Sequence, residues 1–225
     1  MTEIQVLSKK QIFPGICILL FLFMAPMALG YWGILKTSRN IYSLAIYECY
    51  VWFILFVVYI YATKVERRKL LILPESDLTL KQTLKNIFRL ILSLVGISIA
   101  VNIILHLIGI KNDSISIQKL IPLLRQYKVF ILIISITAGV VEEMVFRAYL
   151  FPRFEEIFKN TDIAIILSAS LFGLLHISYG TIAQVAFPFL FGVVTALHYK
   201  KHRNIKTLIY THFLWDFLLL CKTLL

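Results

Sequence analysis

Glu142, Glu143 and Arg147 lie inside the apolar stretch Val129–Leu150, and no other group in the chain is better placed to do chemistry. A charged side chain at the centre of a membrane-spanning helix is disfavoured by about 2.5–3.5 kcal/mol on insertion scales. A span that keeps three of them usually uses them. His176, His212 and Asp216 are further ionisable groups in apolar surroundings. A glutamate and a histidine that converge in a protected cavity can activate water as general base and later return the proton. A second histidine can hydrogen-bond the oxyanion that develops on a scissile carbonyl. Such a set can hydrolyse an amide without a metal ion or a covalent nucleophile.

Spacing assigns faces. Glu143 and Arg147 are four residues apart, so they share a helix face and can pair. A buried guanidinium stays charged and needs that carboxylate. Glu142 is offset by about 100° on a regular helix and points elsewhere, free for another task. His212 and Asp216 are also i, i+4, and Phe172 lies one turn before His176, where it can shield the ring. With a 1.5 Å rise per residue, Glu142 lies about 17 Å, His176 about 20 Å, His212 about 10 Å and Asp216 about 16 Å from one membrane surface. Agreement in depth across three helices of alternating direction predicts one shared site.

Other readings use the same residues. Glu143–Arg147 could be a clasp between helices, a membrane histidine is often a helix–helix hydrogen bond, and Asp216 could simply orient His212. His176, His212 and a carboxylate could ligate zinc, but the HExxH spacing is absent and no Cys lies near. No metal and no cofactor is expected. Gly96-Ile97-Ser98 is a short GxS match of the kind that arises by chance, and no GxGD segment indicates an aspartyl protease. Glu48 is a membrane carboxylate without a motif; it is placed near an interface and given no role. His106, His198 and His202 are expected to be structural or solvated. Cys17, Cys49 and Cys221 stand singly in apolar runs, which gives neither a disulfide framework nor a zinc cluster, and they read as packing residues.

The elements that must carry this site follow from hydropathy. A span needs about 20 apolar residues. Seven candidates run roughly over Phe13–Leu35, Tyr42–Thr63, Leu84–Ile110, Val129–Phe151, Ile163–Tyr179, Ile182–Tyr199 and Ile205–Leu220. The fifth and sixth are joined by a tight turn at Ser178-Tyr179-Gly180. An eighth segment exists if Leu70–Thr83 lies along the interface, but Pro74, Glu75 and Asp77 place that loop outside the membrane. The fold class is therefore an all-α polytopic membrane bundle. It forms a single domain over 1–225, with a catalytic core at about 128–220.

Composition agrees. Of 225 residues 60% are hydrophobic, against about 45–50% apolar in soluble domains. The net charge of +11 arises from short loops, such as Lys64, Arg67, Arg68 and Lys69, and Lys200, Lys201, Arg203 and Lys206. Basic loops flanking apolar spans serve topology and anionic headgroups, so membrane lipids rather than nucleic acid are the expected partners. With a cytosolic N-terminus, those two groups fall on the cytosolic side with Lys9, Lys10, Lys81, Lys85, Arg89, Arg153 and Lys159. Lys36, Arg39, Lys111, Lys119, Arg125, Lys128 and Lys222 fall on the other. The excess favours that orientation in the cell membrane. The N-terminal run lacks the order of a cleavable signal peptide and reads as a first membrane helix.

The polar residues resemble the CAAX-protease and bacteriocin-processing (Abi) family of glutamate-type intramembrane proteases, whose motifs are EExxxR, FxxxH and HxxxN, the last sometimes with Asp. Here they read Glu142-Glu143-Met144-Val145-Phe146-Arg147, Phe172-Gly173-Leu174-Leu175-His176 and His212-Phe213-Leu214-Trp215-Asp216. The resemblance covers about Ile131 to Phe217. It implies that Glu142 and His176 activate water, that Glu143 and Arg147 stabilise the site, and that His212 and Asp216 form the oxyanion hole. Asp216 departs from Asn: it either stays protonated or orients His212 and leaves the oxyanion to that ring. The resemblance implies either a prenylated protein tail, as in eukaryotic members, or a peptide, as in bacterial ones; the compact, Ile-, Leu- and Lys-rich chain favours a peptide or membrane-anchored protein. Two other functions fit the residues: a non-enzymatic self-immunity or partner-binding protein of the same fold, and an ion-coupled transporter.

Overall fold

The computed structural model describes residues 9–31, 40–110, 114–222 and 224. Residues 32–35 of the expected first span, and Lys36, Arg39 and Lys111, lie outside them. Eight helical segments follow in order among the described residues: α1 (Lys9–Tyr31), α2 (Ile41–Val65), α3 (Leu80–Leu107), α4 (Ile115–Gln126), α5 (Val129–Phe158), α6 (Thr161–Tyr179), α7 (Ala183–His202) and α8 (Ile205–Lys222). Among them, α2, α3, α5 and α6 are long and apolar enough to cross a membrane. Large apolar side chains such as Trp52, Phe56, Phe88, Leu92 and Ile103 face outward, while Glu143, Arg147 and Arg153 are buried. That inversion is what a lipid solvent selects, and the chain is an integral membrane protein.

Polar residues between the apolar runs fix the helix ends. The Asn40 side chain accepts from Ser43 N at 2.9 Å while Asn40 N donates to Ser43 Oγ at 3.1 Å, a reciprocal capping box that starts α2. Thr79 and Gln82 do the same for α3. Asn160 caps α6 by accepting from Asp162 N and Ile163 N, and Asn204 caps α8 by accepting from Thr207 N at 2.9 Å. Gly180, at φ 81°, ends α6 in the left-handed region and makes the expected tight turn into α7.

Helix boundaries depart from the expected spans. α5 continues through Phe158 rather than stopping at Phe151, and α4 is a helix that hydropathy did not indicate. Its 12 residues are too few for a span. It packs against the last turn of α6 and the start of α5. Residues 66–79 form no regular helix and strap one end of the bundle. Glu75 accepts from Tyr199 Oη at 2.7 Å and from Ile205 N at 2.6 Å, so this loop carboxylate closes the α7–α8 turn.

Arg153 corrects a topological reading. Counted above as a loop charge, it is fully buried and bidentate on Glu66, with Tyr149 Oη donating to the same carboxylate at 3.1 Å. Its guanidinium lies 3.7 Å from the centre of the Tyr149 ring. Cys17 and Cys49 are exposed on the outer surface rather than packed inside.

Candidate active site

The site is assembled by α5, α6, α7 and α8, and its geometry begins with an irregularity in α5. Backbone bonding widens to i→i+5 over Ala138–Glu142 and again over Met144–Leu150. Such wide turns are rare and concentrate at functional sites. Pro152 lies two residues beyond; it has no N–H to close on Ala148, and an extra residue per turn relieves the crowding of that carbonyl. A wider turn also reduces the angle between successive side chains below about 100°. Glu142 and Glu143, expected on separate faces, both reach the ring of His212.

They approach opposite nitrogens. His212 Nδ1 lies 2.8 Å from Glu143 Oε1. The carboxylate accepts, so the ring donates Nδ1–H and presents Nε2 to the other side. There Glu142 Oε2 lies at 3.8 Å and Asp216 Oδ2 at 3.6 Å. Glu143 Oε1 also pairs with Arg147 Nη1 at 3.1 Å, as the i, i+4 spacing anticipates. Arg147 Nη2 donates to Thr195 Oγ1 at 2.6 Å, and that hydroxyl donates to the Phe191 carbonyl at 2.8 Å. The guanidinium sits 4.6 Å from the centre of the Phe172 ring, a cation–π contact away from water.

Exposure divides these groups. The side chains of Glu143, Arg147 and His212 are 0%, 1% and 6% exposed, whereas Glu142 and Asp216 are 25% and 26% exposed. Only the latter two carboxyl groups can meet a ligand directly. Close approach of α5 and α8 makes this possible. A Cβ on Gly139 would stand 2.9 Å from Ile209 O and 3.0 Å from Phe213 N, on the turn of α8 that carries His212.

His176 joins through Phe172. The Phe172 ring meets the His176 ring edge-on at 5.1 Å between centres and the His212 ring at 6.0 Å, so it separates two imidazoles as well as shielding one. His176 Nδ1 donates to the Phe172 carbonyl at 2.8 Å, which leaves Nε2 as the free acceptor. The last turn of α6 is 3₁₀, where residues three apart eclipse, and His176 accordingly stacks on Tyr179 at 5.8 Å. The imidazole within 4 Å of Glu142 is thus that of His212. His176 is within electrostatic range of His212 and Arg147. Among the described residues, no three His, Cys, Asp or Glu side chains are grouped to hold a metal ion.

Sequence reading missed several supporting residues. Thr195 was one hydroxyl in an apolar run, and Tyr47, within electrostatic range of Glu142, Tyr179 and Glu48, had no motif around it. Glu48 is buried and faces Thr137, whose hydroxyl accepts from Trp52 Nε1 at 3.1 Å, so it belongs to the α2–α5 contact. A cavity of about 700 Å³ opens between α6 and α7, lined by Gly173, Ile177, Val185 and Phe189 among others, beside the Phe172–His176 turn.

A family model described as Rce1-like, type II CAAX prenyl endopeptidase Rce1-like, matches residues 125–218. No curated protein and no solved structure matches the chain. The matched stretch contains all seven residues Glu142, Glu143, Arg147, Phe172, His176, His212 and Asp216, and leaves out α1 to α3. Over residues 125–218, the stretch that carries these seven residues, the chain is similar to the Rce1-like, type II CAAX prenyl endopeptidase family.

Proposed function

We propose that this protein is a metal-independent intramembrane endopeptidase that hydrolyses a peptide bond in a membrane-associated protein or peptide. The observation that carries the reading is the division of the carboxylates around His212. Glu143 is sealed and holds Nδ1, while Glu142 is partly open and stands 3.8 Å from Nε2. One acid fixes the ring; the other is free to act on water beside it.

The steps follow from these positions. Glu142 takes a proton from water, with His176 Nε2 as the second acceptor that orients it. The water oxygen adds to the scissile carbonyl carbon. The resulting oxyanion accepts from His212 Nε2–H, which requires both ring nitrogens to be protonated; the surrounding carboxylates of Glu142, Glu143 and Asp216 balance that charge. Asp216 orients the ring or, when protonated, donates to the oxyanion itself. As the tetrahedral species collapses, the C–N bond breaks and the proton held by Glu142 passes to the leaving amine. Arg147, Thr195 and Phe172 keep Glu143 and His212 in place throughout.

The whole chain reads as one membrane domain in which α1, α2, α3, α5, α6, α7 and α8 cross the bilayer. α4 lies at one surface, and the 66–79 strap faces the cytosol with the basic loops. The apolar cavity beside His176 suits the unpolar flank of a membrane-held substrate. The test is turnover of a tethered reporter peptide by purified protein. Cleavage should persist with a metal chelator and disappear in Glu142→Gln with the fold intact. Unchanged cleavage in Glu142→Gln, or its loss on chelation, overturns the reading. A non-catalytic immunity role predicts instead that Glu142→Gln and His176→Ala both keep the biological effect without any cleavage.

A further inference from the structure

A second polar recess lies at the strap end of the bundle, away from the residues above. Asn86, Arg89 and Ser93 on the first turns of α3 face His198, Lys201 and His202 on the last turns of α7, around a cavity of about 330 Å³. That is several times the roughly 30 Å³ of a water in the liquid. Among the described residues, no carboxylate lines it. Arg89 and Lys201 form no ion pair among the described residues, although Lys200 next door pairs with Asp162 at 3.5 Å. The rings of His198 and His202 lie 4.4 Å apart between centres, and His198 Nε2 is buried without a hydrogen-bond partner. Asn86 is buried at the same place.

We infer that this recess binds a phosphate-bearing anion. Two cations gathered without a counter-charge among the described residues repel one another, and a buried ring nitrogen without a partner is costly. A phosphate group supplies several strong acceptor oxygens to Arg89, Lys201, Asn86 and His198 at once. The recess lies roughly two to three and a half turns inside the start of α3 and in the closing turns of α7, at the end of the bundle that carries the basic loops. Basic pockets between membrane helices take anionic lipid headgroups in this way. Free phosphate offers the same chemistry, and the experiment separates the two sources.

Full-chain protein is reconstituted in nanodiscs of phosphatidylcholine alone, of phosphatidylcholine with phosphatidylglycerol, and of phosphatidylcholine with added inorganic phosphate. Bound lipid is read by native mass spectrometry and stability by thermal unfolding. Wild type should retain phosphatidylglycerol and melt higher in its presence. Arg89→Gln with Lys201→Gln should weaken that binding by roughly tenfold or more and abolish the shift. Lys206→Gln, an exposed cation at the same end, should change neither. Stabilisation by inorganic phosphate in phosphatidylcholine, lost in the double variant, supports the site with a soluble ligand. A phosphatidylglycerol effect equal in wild type, the double variant and Lys206→Gln reports only general surface charge and overturns the proposal. So does the absence of any response to either anion. His198→Asn keeps a donor at the recess and serves as the milder variant if the double one unfolds.

Discussion

His212 and Glu143 meet at 2.8 Å, Nδ1 to Oε1, and the same carboxylate oxygen lies 3.1 Å from Arg147 Nη1. One buried acid therefore orients an imidazole on α8 and neutralises a guanidinium on its own helix. The nitrogen that looks toward the open carboxylates is fixed as Nε2 by a residue that no ligand touches.

Glu143→Leu should leave Arg147 buried without a counter-charge and destabilise the protein by about 3–5 kcal/mol. Adding Arg147→Met should restore much of that stability, because the uncompensated charge is gone. Turnover should stay low in the double variant, since His212 still lacks its Nδ1 acceptor. Thermal unfolding in mild detergent beside the peptide assay separates the two effects.

Glu142→Gln should lower turnover on the order of 10²–10⁴-fold, the span for loss of a general base. Because the Glu142 side chain is a quarter exposed and its Oε2 accepts no hydrogen bond, with His212 Nε2 no nearer than 3.8 Å, the melting temperature of the variant should change little.

Asp216→Asn keeps a polar group of the same shape that can donate to an oxyanion, so its turnover should stay within about tenfold of wild type. Asp216→Ala should lose about 10²–10³-fold if the residue touches the oxyanion. Equal, small effects of both would reduce Asp216 to a residue that orients His212.

Gly139→Ala places a Cβ against the backbone of α8 at Ile209 and Phe213. Overpacking of that kind costs about 1–3 kcal/mol, and here it also moves His212 away from Glu143. Activity per folded molecule should fall. Gly96→Ala on α3 meets nothing within 4 Å and should be neutral or slightly stabilising. If both variants behave alike, the α5–α8 contact does not set the site.

Arg153→Leu removes the partner of buried Glu66 and should destabilise by about 3–5 kcal/mol. Turnover per folded molecule should change little, because this pair ties the strap to α5 and lies outside the cluster around His212. A loss of activity without a loss of stability would place the strap in the reaction itself.

Much of the site was legible because hydrocarbon is an unforgiving solvent. Ionisable residues inside apolar runs are few, so Glu142, Glu143, Arg147, His176, His212 and Asp216 stood out without any coordinates. The i, i+4 pair of Glu143 with Arg147 followed from helical spacing alone. Arg153 and Glu66 were hidden because each lies beside loop charges, and a buried charge looks the same in sequence as a solvated one. α4 was missed because a short amphipathic segment among polar residues leaves no span-length apolar run.

The chain's residue types determined that a membrane bundle would carry a costly polar cluster, and which side chains would form it. Tertiary structure decided which of them touch. The wide turns before Pro152 swing two adjacent glutamates onto the two nitrogens of one ring, and Gly139 lets α8 come close enough for them to reach it. Regular helical spacing separates neighbouring side chains by about 100° and contains no term for a backbone that widens or for the helix packed against it.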